Sequence, residues 1–537
     1  MNFADIVSTF FRLAMVVGTI ISYPSLATAQ DTHHWVNPTG GIYTSFNNWS
    51  PIGAPGSQDT AKFNLPNDYV ISFIDSRDVG QIQLEGTTEV TLRSTGIYDG
   101  DRVLSAEGVS VFETGSQLII EPGSEDHNMV LSVNANINNY GFVTARNGAQ
   151  VFADKTIAGF NPLAGFFIVD GTSTSGLPTF WETDEVFISL GSLTVSGGAI
   201  MVTPELNLSR GSVRVQDPGT RLSAQDIEVG QFSLSNFDIR NGGLVQSDSI
   251  LIAPFPGIPA SLKLISTDST SASTLINSGS MHVGGRITAA GGLGAFELNE
   301  NSYAEIGDTI VIWEQGTVTL NNGTLVVDVI ENELGGDFEM FGGKLEVNQF
   351  IGDLENNGGT LAPGGTDVAT TLILGDFSGS SDSTLQMEIA GTIPGTNHDL
   401  VNLTGQAIVN GILEISLASG FSPDPADTFT MVASDNLVGS FDNALNGQRL
   451  DTADGVGSFV VNYGIGSPFD EDRVVLSNFQ NNLVAGDING DGSVDLLDVA
   501  PFVEAITAGG FLAVADINQD GIVDLLDVQP FIELLIA

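Results

Sequence analysis

The sequence contains no cysteine, which excludes disulfide bonds, cysteine-ligated zinc, iron–sulfur clusters and thiol catalysis. Basic residues are also scarce. Against 16 lysines and arginines there are 65 aspartates and glutamates in 537 residues, a formal net charge of −49. Nucleic acid and anionic lipid both require clustered basic side chains, so neither is expected as a partner. The chain is nevertheless 42% hydrophobic, which is enough to build a large core.

Long apolar runs are missing except near the N-terminus. There, Leu13–Tyr23 form an apolar segment, Pro24 interrupts it, and Ala27-Thr28-Ala29 form a small-x-small cleavage pattern before Gln30. This pattern predicts a secretory signal peptide over residues 1–29, and hence a secreted, extracellular or cell-surface protein with no membrane insertion after its removal. A single membrane anchor is the alternative, although the run is shorter than the ~20 residues that a spanning helix needs.

Between about Trp35 and Leu374, short runs of alternating apolar and polar residues are separated by Gly, Asn, Asp and Ser. Examples are Ser192–Ser196 (SLTVS) and Lys344–Val347 (KLEV). The period of two indicates strands rather than helices. Segments such as SGGAI, NGGLV, NNGTL and FGGKL recur between the runs, and their glycines allow the positive φ angles of tight corners. The sequence therefore predicts a mainly β fold with many short strands.

This pattern resembles a right-handed parallel β-helix, the solenoid of polysaccharide lyases and of bacterial autotransporter passengers. The resemblance implies that stacked coils share one continuous core; a tandem of β-sandwiches is the alternative. We place the Gly-rich solenoid at residues 30–380 and a C-terminal β-rich capping segment at residues 381–480, where it would cover the exposed strand edge. Trp35 and Trp49 are expected to be core residues of the N-terminal end, with carbohydrate stacking as the alternative.

Two twelve-residue segments near the C-terminus, Asp487–Asp498 and Asp516–Asp527, have the spacing of a calcium-binding loop. Their starts are 29 residues apart (516 − 487 = 29). Calcium takes six to eight oxygen ligands, which such loops supply from positions 1, 3, 5, 7, 9 and 12, with Gly at position 6. The candidate ligands are Asp487, Asn489, Asp491, Ser493, Asp495 and Asp498 in the first loop, and Asp516, Asn518, Asp520, Ile522, Asp524 and Asp527 in the second. Position 7 contributes a backbone carbonyl, so its side chain is free to vary.

An amphipathic helix is predicted after each loop, because apolar residues follow at i, i+3, i+4 and i+7. These are Val499, Phe502, Val503 and Ile506, and then Val528, Phe531, Ile532 and Leu535. No helical pattern precedes either loop. Two loop–helix units without entering helices resemble a type I dockerin over residues 484–537. The resemblance implies a small α-helical module that binds two calcium ions and docks onto a cohesin-like receptor on a scaffold or a cell surface.

In known dockerins, positions 10 and 11 of each loop help to select the cohesin and are often small hydroxyl residues. In this sequence they are Leu496 and Leu497 in the first loop and Leu525 and Leu526 in the second. This departure implies that the four leucines make a more apolar contact with the partner. The alternative is that they pack in the small core of the module itself.

The role of the β array stays open between two classes of function. Dockerins are common on plant-polysaccharide enzymes, so a glycoside hydrolase or polysaccharide lyase acting in polysaccharide catabolism is one hypothesis. It requires a carboxylate pair, or an acidic calcium site with an arginine base, on one face of the solenoid. No family motif surrounds the acidic candidates Glu182, Asp184, Glu185, Glu297 and Glu300. We therefore favour a structural, adhesion or glycan-binding module, with polysaccharide as a second partner, over an enzyme.

Overall fold

The computed structural model describes residues 31–95, 101–123, 128–160, 162–267, 270–418, 421–481, 484–490, 493–508, 512, 514–518 and 520–536. The predicted signal peptide, residues 1–29, lies outside these ranges. In the described part of the chain, no helix has the length and apolar character needed to cross a membrane.

The chain is mainly β, with 54% strand and 4% helix, and it forms a β-solenoid of about 16 turns followed by two C-terminal helices. The mainly β solenoid predicted from the sequence is confirmed, and the tandem of β-sandwiches is wrong. Successive turns place their strands in register in two parallel sheets, so that residues about 20 to 30 positions apart lie side by side. Each turn thereby buries its inward-facing side chains against the turns above and below it.

The first sheet contains 26 strands. Their bounds are Thr32–Trp35, Trp49–Ser50, Thr60–Phe63, Arg77–Leu84, Arg102–Val111, Met129–Asn139, Gln150–Ala158, Phe180–Ile188, Ile200–Leu208, Arg221–Val229, Leu244–Ser247, Ser249–Ile252, Ser273–Asn277, Met281–Val283, Ser302–Ile312, Thr324–Glu331, Lys344–Ile351, Thr360–Leu361, Thr370–Leu374, Thr384–Ile389, Leu400–Leu403, Ile412–Leu417, Thr428–Ala433, Arg449–Asp451, Gly457–Asn462 and Arg473–Asn481.

The strands of the second sheet are Gly41–Ile42, Tyr69–Phe73, Glu89–Ser94, Gln117–Glu121, Phe142–Arg146, Gly165–Asp170, Gly191–Ser196, Gly211–Gln216, Ser235–Arg240, Ala260–Ile265, Gly294–Leu298, Gly316–Leu320, Asp337–Met340, Leu354–Asn356, Phe377–Gly379, Gln406–Val409 and Asn436–Gly439. Gly285–Arg286 and Ala289–Ala290 form a short antiparallel hairpin. A 3-10 turn covers Phe46–Asn48.

The core of the solenoid consists of columns of apolar side chains, one from each turn. Because side chains alternate between the two faces of a strand, every second residue points inward, as in Tyr69–Phe73. Parallel register then stacks equivalent residues directly on one another. One such column is fully buried and includes Val151, Trp181, Met201, Leu222, Val245 and Leu275.

An aromatic cluster closes the N-terminal end of this core. Trp35 and Trp49 pack edge to face with their ring centroids 5.1 Å apart, and Tyr43 stacks on Phe73 at 4.9 Å. Trp35 is 0% exposed and Trp49 is 1% exposed. Both are core residues, as expected, and the alternative of carbohydrate stacking is wrong because neither ring face reaches solvent.

The parallel stack continues well beyond residue 380. Thr384–Ile389 pairs in parallel with Ile412–Leu417, and Gln406–Val409 pairs in parallel with Asn436–Gly439. The division suggested by the sequence between residues 380 and 381 thus lies inside the stack, since strand pairing between turns is not visible as a change in composition.

The pairing pattern changes to antiparallel at Thr428–Ala433, which pairs with Arg473–Asn481. That last strand pairs in turn with Gly457–Asn462, and buried phenylalanines fill the space beneath them. Phe459 lies between Phe429 and Phe479, at centroid distances of 5.6 and 4.9 Å. These strands occupy hydrogen-bonding edges at the end of the first sheet, where a bare edge would otherwise pair with another chain.

Glycines line one corner where consecutive turns approach closely. Gly165, Gly191 and Gly211 are paired in register, and Gly191 has a φ of 138°. A Cβ atom on Gly191 would lie 1.8 Å from the carbonyl oxygen of Gly165, which is far inside van der Waals contact. Only glycine therefore fits this corner without moving the backbone of the neighbouring turn.

Substituting Gly191→Ala should lower the free energy of unfolding of the solenoid by about 3 kcal/mol, from backbone strain and overpacking together. Gly176→Ala is the matched control, because Gly176 also has a positive φ of 85° but nothing lies within 4 Å of its added Cβ. The control should cost only about 1 kcal/mol, the strain of a left-handed alanine. Denaturant unfolding followed by tryptophan fluorescence measures both, and equal losses would contradict the packing argument.

Candidate calcium-binding and docking module

The two α-helices in the described part of the chain follow the two candidate calcium loops. Helix α1 spans Val499–Ala508 and helix α2 spans Val528–Leu535. In both loops the first aspartate accepts a backbone N–H of its own loop, from position 4 in the first loop and from position 6 in the second. Asp487 accepts a hydrogen bond from the Gly490 N–H at 2.8 Å, and Asp516 accepts one from the Gly521 N–H at 2.8 Å. Each aspartate at position 1 therefore holds the sharp turn of its own loop.

The aspartate at position 12 of each loop, Asp498 or Asp527, is completely buried. Its carboxylate accepts three backbone N–H groups, from positions 2, 3 and 9 of the same loop. The donors are Ile488, Asn489 and Asp495 in the first loop, at 2.7, 2.9 and 2.9 Å, and Ile517, Asn518 and Asp524 in the second, at 2.8, 3.0 and 2.9 Å. Equivalent bonds differ by at most 0.1 Å, so the two loops have the same geometry around their last aspartate.

These hydrogen bonds offset the desolvation cost of burying two carboxylates in a chain that already carries a large negative charge. A carboxylate has about four lone-pair sites, so three N–H donors leave about one for a cation. The donor set of each loop consists only of oxygens, which is the chemistry that Ca²⁺ prefers. The residues present therefore fit a calcium ion in each loop, with Asp498 and Asp527 as organising residues that have limited capacity for direct ligation.

The other candidate ligands lie around the two loops with different exposure. Asp487 and Asp516 are each 7% exposed. Asp524 is half-buried, and the exposed candidates are Asn489, Ser493, Asp495, Asn518, Asp520 and Ile522. Asp491, together with the glycine at position 6 of the first loop, lies outside the described residues. The exposed ligand side chains leave each loop accessible to an ion from solvent.

The module has a very small hydrophobic core. Phe502, Ala515, Val523 and Phe531 form its buried apolar cluster, with the two phenylalanine ring centroids 4.0 Å apart, and Val514 is also buried. Because so little apolar surface is buried, packing alone contributes little to the stability of this module. A bound metal is the expected additional source of folding free energy.

The four leucines at positions 10 and 11 are exposed. Leu496 and Leu497 are 81% and 67% exposed, and Leu525 and Leu526 are 77% and 66% exposed. The alternative that they pack in the core of the module is therefore wrong. Exposing four leucines on so small a module is costly in water, and such a patch is typical of an interaction surface.

An apolar groove of about 350 Å³ lies between the two helices. It is lined by pairs of residues with the same 29-residue offset as the loops: Val499 and Val528, Phe502 and Phe531, Val503 and Ile532, and Ile506 and Leu535. Leu525 also lines it, which joins the groove to one leucine pair. The apolar helix faces predicted from the sequence thus line the two sides of this groove. Val503 and Ile532 remain half exposed within it.

Taken together, the fold and the site define a long β-solenoid that carries a C-terminal module of two repeated acidic loop–helix units. Residues 485–535 match the dockerin type I domain, so the C-terminal module is a type I dockerin. Dockerins of this type generally bind calcium and dock onto cohesins. Proteins that contain them are typically extracellular or attached to the cell surface. The match covers the module and does not extend to the solenoid.

Comparison with solved structures finds the Hap adhesin of Haemophilus influenzae, at 11% sequence identity and a TM-score of 0.25. The alignment covers 81% of this chain and 65% of the adhesin chain, so this chain spans less than two thirds of its length. None of the curated proteins matches this chain.

Two of the acidic residues considered as catalytic candidates are engaged in ion pairs on the outside of the solenoid. Glu185 pairs with Lys155, and Glu297 pairs with Lys263 at 2.6 Å. Each pair joins neighbouring turns, since the partners are directly opposite in parallel register. These contacts give both carboxylates a role in turn-to-turn packing.

A buried histidine near the C-terminal end of the solenoid is expected to make its stability depend on pH. His398 is 0% exposed, its Nδ1 lies 3.0 Å from the carbonyl oxygen of Gly391, and its ring packs against Phe429. Burial lowers the pKa of His398 below that of a free histidine. The unfolded chain therefore takes up a proton at about pH 6.5 that the folded chain resists. The contribution of His398 to stability is present above that pH and is lost as the pH falls.

The adjacent Asp399 acts in the opposite direction, because burial raises its pKa to about 7 and its contribution to stability is lost as the pH rises through that value. A His398→Leu variant isolates the histidine. The stability difference between wild type and this variant should narrow as the pH falls from about 8 to about 5. Urea unfolding across that range measures it. Phe429→Leu, which removes the neighbouring ring and no titratable group, should show a constant difference, and a constant difference for both variants would contradict the prediction.

Proposed function

We propose that this protein is exported and held on a scaffold or a cell surface through calcium-dependent docking of its dockerin onto a cohesin-like receptor. The solenoid acts as the structural, adhesion or glycan-binding part. The observation that carries the proposal is the dockerin match at residues 485–535, together with its four exposed leucines. Residues 1–29, as a signal peptide, supply the export step in this proposal.

Two calcium ions hold the docking module in its binding conformation. In the first loop the proposed ligands are Asp487, Asn489, Asp491, Ser493, Asp495 and Asp498. In the second they are Asp516, Asn518, Asp520, Ile522 through its carbonyl, Asp524 and Asp527. The matching hydrogen bonds to Asp498 and Asp527 support the same role for these two residues in their loops. Each calcium ion would supply positive charge to its loop, and the residues of that loop hold the ligand oxygens around it.

The receptor surface is expected to be more apolar than that of a cohesin which accepts small hydroxyl residues. Leu496, Leu497, Leu525 and Leu526 support this, since exposed leucines gain free energy only against an apolar partner. Because the two halves of the module are equivalent, either pair could occupy the same receptor site. A structural role for the solenoid is supported by the ion pairs that occupy two of the acidic candidates.

The test is a binding assay of the full-length mature chain against a panel of recombinant cohesin modules, with calcium and with excess EDTA. At least one cohesin should bind with calcium and release with EDTA. Failure of every cohesin to bind in calcium would overturn the docking proposal. The role of the solenoid is tested separately with the same protein on pectin, xylan and other glycans, where release of reducing or unsaturated ends would overturn the non-catalytic role.

A further inference from the structure

Three side chains converge at the N-terminal end of the solenoid, far along the chain from the dockerin. They are Asp31, His33 and Asp59, and one ligand atom from each lies within 4.8 Å of the other two. Asp31 and His33 belong to the first turn, whereas Asp59 immediately precedes the strand of the next turn that pairs in parallel with it. The pairing of Thr32 with Thr60 brings the two segments together.

The imidazole of His33 is oriented by a hydrogen bond to the backbone. Its Nδ1 lies 2.8 Å from the carbonyl oxygen of Gly53, and because a carbonyl can only accept, Nδ1 carries the proton. The other nitrogen, Nε2, is then an unprotonated lone-pair donor beside the carboxylate of Asp59. A histidine fixed in this way through its remote nitrogen is the usual arrangement of a metal ligand.

The spacing of the ligand atoms also fits a cation. Nε2 of His33 lies 3.8 Å from Oδ2 of Asp59, which is too long for a hydrogen bond. Two ligands bound at about 2.0–2.1 Å to one tetrahedral ion lie roughly 3.4 Å apart, so a small inward movement satisfies both bonds. Asp59 is held in place because it accepts N–H groups from Gly56 at 2.9 Å and from Asp31 at 3.3 Å.

We propose that Asp31, His33 and Asp59 bind one divalent transition-metal cation, for which zinc is the appropriate probe. One imidazole nitrogen and two carboxylate oxygens suit zinc and its neighbours in the first transition row, whereas calcium takes oxygen ligands. The side chains of His33 and Asp59 are 12% and 25% exposed, so the ion can enter from solvent and keep a water ligand. The two carboxylates carry the negative charge that neutralises it.

Such an ion would clip the first strand onto the second turn. Terminal turns of a solenoid contact a neighbour on one side only and are therefore prone to open first. The chain has no cysteine with which to staple this end. Zinc binding should accordingly protect the N-terminal strands more than the rest of the solenoid.

The experiment is a zinc titration of the full-length chain by calorimetry, in saturating calcium so that the dockerin loops are occupied. Wild type should bind one zinc ion at this site. The zinc affinity of His33→Ala should be lower, on the order of 100-fold, because a ligand and its fixed geometry are lost. His34→Ala is the matched control, because His34 is the next residue of the same strand and is not one of the three converging groups. It should bind zinc as wild type does.

Hydrogen exchange measured by mass spectrometry gives a second readout on the same samples. Zinc should slow exchange in residues 31–63 of wild type and of His34→Ala, and leave His33→Ala unchanged. Asp59→Asn, which keeps the shape of the side chain, should behave as His33→Ala does. Equal zinc affinity in wild type and His33→Ala would overturn the site. So would a result in which zinc slows exchange only outside residues 31–63. Neither result depends on whether a cohesin binds.

Discussion

Excess EDTA should unfold residues 484–537 and leave the solenoid folded. Calcium present at about 1,000 times its dissociation constant contributes about 4 kcal/mol to the stability of a one-site module, and two sites contribute more. Among its described residues the module has only five buried apolar side chains with which to replace that contribution. The solenoid, by contrast, has a continuous apolar core over about 16 turns, which keeps it folded without calcium.

Hydrogen exchange by mass spectrometry of the full-length chain resolves the two regions. Peptides from helices α1 and α2 should exchange fully in EDTA, while solenoid peptides such as Phe180–Ile188 keep their protection. The double variant Asp498→Ala, Asp527→Ala should reproduce the effect of EDTA in the presence of calcium, because each substitution strands three backbone donors. Glu504→Ala with Glu533→Ala removes the same charge from the helices and is the control. Persistent protection of α1 and α2 in EDTA would be incompatible with calcium-dependent folding.

The dockerin could be recognised from the sequence because its pattern is local. Each loop brings its oxygens together within twelve consecutive residues. The same ligand pattern recurs 29 residues later, which a chance match would not produce. What spacing could not decide was the direction of the leucine side chains. Leu496 and Leu525 occupy positions where a core role and a surface role have the same pattern, and burial is a property of the folded module.

The solenoid was predictable as a class and not in its details. Alternation of apolar and polar residues indicates strands, and recurrent Gly-rich corners indicate repeated turns. Register between turns is a non-local property, however. It determines that Gly191 meets Gly165, and that the parallel stack continues past residue 380. The convergence of Asp59 with His33 was invisible for the same reason, since the two residues are 26 positions apart (59 − 33 = 26) and no motif marks them.

Substituting both leucine pairs should abolish docking while leaving the dockerin folded. Leu→Ser changes at Leu496, Leu497, Leu525 and Leu526 remove the exposed apolar surface, and because none of the four is buried, the core of the module is untouched. Central apolar contacts dominate protein interfaces, so the affinity for the cohesin identified in the binding panel should fall by roughly 100-fold or more. Surface plasmon resonance in calcium measures the loss, and hydrogen exchange confirms that α1 and α2 stay protected.

Substituting only one pair separates two explanations of how the module binds. If the two halves are interchangeable, the Leu496→Ser, Leu497→Ser variant still docks through the second half, and its affinity falls only about twofold because one of two equal orientations is lost. The mirror variant at Leu525 and Leu526 should behave the same way. Ile465→Ser, at a residue that is 92% exposed outside the dockerin, is the control and should bind as wild type does. A large loss of affinity from one pair and none from the other would show a single orientation. Full binding after all four substitutions would show that the leucines do not contribute to the interface.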